Sequence, residues 1–343
     1  MQLTGDLYYP NSLPPHSSSH LYIHIPLRHL QPAVLPPFRL SSNSSMAPAA
    51  IARHTTKTVC VMDSSSHLGA ALVDRLLHRG YTVHAAAFAG GDATKAAWSE
   101  NKRVRVFRAD PLDYNSIAEA IRGCSGLFYT FDDESSYDEF MVEIELRAAH
   151  NVLEACAQAD SIERVVFTSS VTALIWNEKL KVTEDVDERD WSDPNFCRKF
   201  KLWHALAKTL SEKTAWALAM DRGVDMVAVN AGLILAGPEL SPSNPYLKGA
   251  PEMYEDGVLV TVKLKFLVDA HICVFENPEA YGRYLCFNHT ISHPKDAIKL
   301  AQMLSPGPSP PPSDGLGVIQ ERIHSKKLNK LLLEYRDGLQ VAE

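Results

Sequence analysis

His204 and Lys208 stand four residues apart, on what the pattern predicts as a helix beginning near Phe200 and stopped by Gly223. Residues at that spacing share one helix face, so an imidazole and an ammonium point into the same space. An imidazole has an unperturbed pKa of about 6.5, which suits it to move protons. A lysine beside it pushes that pKa down, and a neutral ring is a poor acid at pH 7. Three outcomes follow from such a pair: a packed, hydrogen-bonded histidine, direct acid catalysis, or ligand binding without chemistry. Trp203, Leu210 and Trp216 on the same helix read as packing residues.

The run Phe196-Cys-Arg-Lys-Phe-Lys-Leu-Trp-His-Ala-Leu-Ala-Lys208 resembles plant cinnamoyl-CoA reductases and dihydroflavonol reductases, which are extended short-chain dehydrogenase/reductases. The resemblance runs from Thr58 to near the C-terminus. It implies a doubly wound α/β sheet, NADP(H) as cofactor, and reduction of a phenylpropanoid-type carbonyl or CoA thioester. It also implies a catalytic triad. A serine polarises the carbonyl, a tyrosine donates the proton, and a lysine lowers the tyrosine pKa while holding the nicotinamide ribose. Ser170, in Phe167-Thr-Ser-Ser170, matches the serine, with Ser169 as the alternative, and Lys208 matches the lysine. His204 stands in the tyrosine position, and its shorter ring places a donor short of a substrate set for tyrosine.

A dinucleotide site needs a tight glycine turn leading into a helix whose free N–H groups face the pyrophosphate. The family pattern there is T-G-x-x-G-x-x-G. This chain reads Met62-Asp63-Ser64-Ser65-Ser66-His67-Leu68-Gly69, keeping only Gly69, whose role is to pack helix against sheet. Asp63 replaces the first glycine, and Ser66 the glycine that admits phosphate to the backbone. A carboxylate roughly 5 Å from a phosphate charge costs about 3 kcal/mol at an effective dielectric of about 20, or roughly a hundredfold in affinity. Asp63 or one of the serines can also cap the helix and occupy donors a phosphate would use.

Other family positions are altered as well. His84 and Phe88 match the arginines that hold the adenosine 2′-phosphate. No acid suited to an NAD ribose replaces them, since Ala89-Gly90-Gly91 follows and Asp92 lies beyond. Phe131-Asp132-Asp133 replaces a small Ala-Ser pair, and the phenylalanine is sized to fill the cleft. Asp110, at the adenine position, and Asn230-Ala231-Gly232, where the family has N-P-G, are retained. Together these changes predict a divergent member with lost or impaired NADP(H) binding and chemistry, acting as a binding or regulatory protein for a small phenylpropanoid-like ligand. The alternative is a working NADP(H)-dependent reductase using Ser170, His204 and Lys208. A structural or oligomer-forming protein without a small ligand is the third class.

The elements that must position these groups alternate in type from Thr58 onward, which implies a parallel sheet covered by helices, Rossmann-type and doubly wound. Strands are predicted at Val59–Met62, Tyr81–Phe88, Val104–Phe107, Leu127–Phe131, Arg164–Thr168 and Val224–Asn230, with helices at Leu68–Arg79 and Tyr137–Ala159. The expected division is an N-terminal extension (1–54), a nucleotide-binding core (55–232) and a small C-terminal substrate lobe (233–340) interleaved with it. The lobe contains Tyr246-Leu-Lys-Gly-Ala-Pro251 and Asp269-Ala-His271. Ser305–Gly317 is Pro-rich and reads as a loop before a last helix, Val318–Leu333.

Composition narrows the partners. The chain has 343 residues and a formal net charge of −7 at pH 7, which gives no basic surface for nucleic acid or anionic membrane. Six widely spaced cysteines without a C-x-x-C pair favour free thiols and no metal. Without an apolar run of about 18 residues, a transmembrane helix is not expected, and the reading is cytoplasmic. Residues 1–54 are rich in Ser and Pro and read as disordered, or as an extended start upstream of Met46. Few acids permit organellar targeting, although only Arg28 and Arg39 are basic. His16, His20, His24 and His29 read as a solvated tail, since neighbouring prolines oppose the helix a metal site would need.

Overall fold

The computed structural model describes residues 57–88, 98, 100–131, 137–178, 185–238, 240–305 and 317–341. β1 (Thr58–Met62) leads into α1 (His67–His78), followed by β2 (Thr82–Ala87), β3 (Val104–Arg108), α2 (Tyr114–Ile121), β4 (Gly126–Tyr129), α3 (Glu139–Ala157) and β5 (Arg164–Ser170). Next come α4 (Pro194–Lys199), α5 (Trp203–Arg222), β6 (Met226–Ala231), β7 (Leu233–Leu235), α6 (Ala250–Glu255) and β8 (Val260–Lys263). The chain continues through α7 (Leu264–Glu276), β9 (Gly282–Cys286), β10 (His289–Thr290), α8 (Pro294–Leu304) and α9 (Lys326–Val341).

Seven strands form a parallel sheet in the order β3-β2-β1-β4-β5-β6-β9. Its inner strands β1, β4 and β6 are buried along nearly their whole length, as a parallel sheet covered twice requires, whereas the edge strand β3 exposes Arg105 and Arg108. Alternation assigns each side chain to one helix layer. Val59 and Val61 pack with α1, α7 and α9, whereas Cys60 and Met62 pack with α2, α3 and α5. The strand order reverses between β1 and β4, and in open α/β sheets ligands bind outside the strand ends at such a switch point. Gly223 ends α5 in the left-handed region, φ 70°, which glycine adopts without steric cost.

The chain after Gly232 serves two sheets. β9 completes the large one, while β7, β8 and β10 form a separate three-stranded sheet. All described residues fall within one compact unit, Ala49–Glu343. The predicted helix over Val318–Leu333 is corrected: the helix begins at Lys326, and the preceding segment is extended. There the backbone bonds across the fold instead. Ile319 N donates to Ser292 O at 2.8 Å, Arg322 N to Gly257 O at 3.0 Å, and Val186 N to Arg322 O at 2.6 Å. The expected start near Phe200 also moves, because Lys201 at φ 53° separates α4 from α5.

A buried polar hub ties the site-bearing strands to α5. The fully buried Glu212 accepts from Ser169 Oγ on β5 and Asn230 Nδ2 on β6, both at 2.7 Å, and from Arg283 Nε on β9 at 2.7 Å. Arg283 also donates to the carbonyls of Glu188 and Asp190, and its guanidinium lies 3.7 Å from the Trp191 ring centroid. Among the described residues, no helix is long and apolar enough to cross a membrane, and no three candidate metal ligands converge. All six cysteines are free and buried. His16, His20, His24, His29, Asp92, Asp132 and Asp133 lie outside the described residues.

Candidate active site

One pocket at the C-terminal ends of the strands gathers much of the predicted chemistry. Ser170, His204, Lys208, Phe131 and the His67–Leu68 start of α1 line it, together with Gly232. Its volume is about 70 Å³. Sites that enclose a whole drug-sized ligand run to about 300 Å³ or more, so this space suits the reacting end of a molecule. Tyr246 and Asn244 enter from the lobe, and Thr130 contributes a buried Oγ1 with no hydrogen-bond partner. Gly232 matters for space: a Cβ there would stand 2.9 Å from the Val260 carbonyl oxygen.

His204 and Lys208 lie in the first two turns of α5 and share a face, as their spacing requires. The half-buried His204 ring meets Tyr137 edge-on at 5.1 Å and Tyr246 at 6.3 Å. Its Nδ1 is 3.2 Å from Thr172 Oγ1. Burial, then the Lys208 charge, hold its pKa well below the ordinary value. The direction agrees with the sequence reading, but burial outweighs the lysine as cause.

Lys208 is buried, and its contacts turn it away from a free ammonium. Nζ donates to the Phe131 carbonyl at 2.5 Å and sits 3.0 Å from Glu145 Oε1. Glu145, on α3, is 2% exposed and also accepts from Tyr137 OH at 2.8 Å and Ser211 Oγ at 3.1 Å. A carboxylate so enclosed requires a cation, and Lys208 supplies it. Sequence reasoning missed Glu145, whose position on α3 follows only from how that helix packs on α5. Ser170 caps the short 3₁₀ turn Val171–Ala173, its Oγ accepting from Thr172 N at 3.2 Å.

The turn between β1 and α1 is closed by its own side chains. Asp63 is 7% exposed, and its Oδ1 accepts from Ser65 N at 3.0 Å, from Ser65 Oγ, and from Phe88 N at 3.4 Å. Ser66 is the N-cap of α1, accepting from Gly69 N at 3.1 Å and donating to Asp63 O at 3.0 Å. Gly69 packs against that turn so closely that a Cβ would lie 1.8 Å from Asp63 O. The serine cap expected from sequence is therefore present.

The remaining predicted residues lie outside the pocket lining. His84 sits inside β2 rather than at its end; its buried ring contacts Ala120 O at 2.7 Å and Cys124 Sγ at 3.2 Å, toward α2. Strand register places it there, so His84 does not face the cleft. Burial lowers its pKa. Phe88 packs on Phe131, which lines the pocket, with ring centroids 6.0 Å apart. Asp110 is exposed and accepts from Leu112 N at 2.8 Å. Asn230 belongs to the Glu212 hub, and its Oδ1 is buried without a partner. His271 is fully buried, bonded to Thr168 Oγ1 and Leu267 O, both at 2.8 Å.

The sheet order, the glycine-to-helix contact and the serine–lysine pair define a Rossmann-type reductase scaffold of the short-chain dehydrogenase/reductase class. Residues 64–215 match a family model described as NAD(P)H-binding. The chain is 34% identical to cinnamoyl-CoA reductase 1 of Petunia hybrida, over 81% of this chain and 88% of that protein. It is 30% identical to a bifunctional dihydroflavonol 4-reductase/flavanone 4-reductase of Malus domestica, over 83% and 88%. Among solved structures, vestitone reductase from alfalfa superposes with a TM-score of 0.62 at 27% identity, covering 80% of this chain and 91% of that one. This protein belongs to the cinnamoyl-CoA reductase- and dihydroflavonol reductase-like family of extended short-chain dehydrogenase/reductases.

Proposed function

We propose that this protein binds a small phenylpropanoid-like ligand in the family's substrate pocket while its NADP(H) binding and reductase chemistry are impaired, so that it acts as a binding or regulatory protein. The observation that carries this reading is the Asp63 carboxylate, which takes the N–H groups of Ser65 and Phe88. A pyrophosphate uses the first backbone N–H groups of a helix, here those of His67 to Gly69. Ser65 precedes the cap and Phe88 follows β2, so Asp63 opposes phosphate by its charge in the turn. The Gly69 N–H is engaged by Ser66, and a bound phosphate would meet a carboxylate. The turn residues thus fit the family's cofactor poorly.

Two features of the catalytic positions support the same reading. Lys208 is neutralised by Glu145, and His204 is neutral, with its Nδ1 committed to Thr172. The pocket itself remains, lined by aromatic Phe131 and Tyr246 and by the unpartnered Thr130 hydroxyl. Titration of the full chain with NADPH and with NADH by calorimetry tests the reading, and binding of neither at micromolar concentration is expected. Micromolar binding of either would overturn it.

One observation favours the second reading, an active NADP(H)-dependent reductase of a phenylpropanoid-type carbonyl or CoA thioester. Ser170, His204 and Lys208 all line the same pocket. Reduction of a hydroxycinnamoyl-CoA by wild type, abolished in His204→Ala, would establish it.

A further inference from the structure

Ser170 and His204 both line the pocket, and Thr172, behind them, touches each. Thr172 Oγ1 lies 3.0 Å from Ser170 Oγ and 3.2 Å from His204 Nδ1, while Thr172 N–H donates to Ser170 Oγ at 3.2 Å. Thr172 is 2% exposed and does not itself line the pocket.

A threonine hydroxyl has one proton to give. When it goes to Ser170, His204 donates from Nδ1 and leaves Nε2 as a lone pair. Ser170 Oγ has then accepted twice, and its own proton is free for the pocket. In this, the direction the geometry gives, the neutral chain presents one donor, the Ser170 hydroxyl, and one acceptor, His204 Nε2.

We propose that Thr172 joins Ser170 and His204 into a single hydrogen-bond relay, whose two pocket-facing ends select an alcohol oxygen over a carbonyl oxygen. This rests on the reading that the pocket takes a phenylpropanoid-like ligand. An alcohol is donor and acceptor at once and satisfies both ends. A carbonyl oxygen only accepts, and it leaves the lone-pair end of the relay facing no donor. A protonated imidazole would offer two donors and remove the distinction, but burial and Lys208 keep the ring neutral.

Cinnamyl alcohol and cinnamaldehyde share a skeleton and differ at this oxygen, so calorimetry on the full chain with both compounds provides the test. Wild type is expected to bind the alcohol about fivefold more tightly, the equivalent of one net hydrogen bond. Thr172→Val keeps the side-chain shape, breaks the relay and brings the ratio toward unity, whereas Thr172→Ser preserves it. Equal or tighter binding of the aldehyde by wild type would overturn the proposal. Binding of neither compound would instead overturn the ligand reading. The relay is then read directly from the ¹⁵N shifts of the His204 ring. They should change in Thr172→Val and not in Thr172→Ser, and identical spectra for all three proteins would overturn the relay.

Discussion

The Lys208 ammonium lies 3.0 Å from the Glu145 carboxylate, with both side chains under a tenth exposed. This pair fixes the lysine beside the pocket, with two of its three N–H groups directed to Glu145 and the Phe131 carbonyl. Removing one member of a buried pair strands the other, which costs about 3–5 kcal/mol. Glu145→Gln is therefore expected to lower unfolding stability by roughly that amount in urea denaturation. The double variant Glu145→Gln/Lys208→Met should lose clearly less than the sum of the single variants.

Asp63→Gly removes the carboxylate from the β1–α1 turn and frees the N–H groups of Ser65 and Phe88. The expected outcome is tighter NADPH binding by about a hundredfold, from relief of roughly 3 kcal/mol of charge repulsion. Calorimetry with NADPH measures it. An unchanged affinity would place the obstacle elsewhere, for example at Phe131.

Reductase turnover should need two repairs rather than one. His204→Tyr alone leaves the turn closed, and Asp63→Gly alone leaves no acid of the family's type. The combined variant, assayed by NADPH oxidation with a hydroxycinnamoyl-CoA, is expected to show the largest gain.

Acid sensitivity should come in part from His271. Its ring is fully buried between Thr168 and Leu267, and burial lowers its pKa to about 4. Between that value and the unfolded value of about 6.5, the unfolded chain binds a proton that the folded chain refuses. Stability therefore falls as pH drops from about 6.5 toward 4, by up to about 3 kcal/mol from this residue. His84 and His204, also lowered, act in the same direction. Urea midpoints measured across this range should flatten in His271→Gln.

Arg283→Ala leaves the fully buried Glu212 without its cation and strips the Trp191 ring of its stacked guanidinium. A loss of about 3–5 kcal/mol is expected in urea denaturation. Arg283→Lys recovers only part, since an ammonium cannot reproduce the guanidinium's donors to Glu212 and to the Glu188 and Asp190 carbonyls.

The fold was legible because each element wrote its own period. The apolar stripe of Leu68, Leu72, Leu76, Val73 and Leu77 gave α1, and the short apolar runs gave strands. The turn was legible too, since capping by serine is a local matter of a few residues. Contacts between distant elements were not. Glu145 reads as one more charge on an amphipathic helix until α3 is laid against α5, and Thr172 reads as an ordinary residue after a strand. His84 was read at the cleft by analogy of position, but the strand's alternation turns it toward α2. The last helix was misplaced because Val318–Ser325 finds its backbone partners across the fold, in Ser292 and Gly257.

The Asp63 carboxylate is an anion tethered to its own site, and a tethered competitor is never diluted. A protein that folds around a bound cofactor gains stability only as that cofactor's free concentration exceeds its dissociation constant. Here Asp63 and Ser66 give the turn amides of Ser65 and Gly69 acceptors within the chain. On the proposed reading, the fold of this protein would gain little stability from the supply of NADPH.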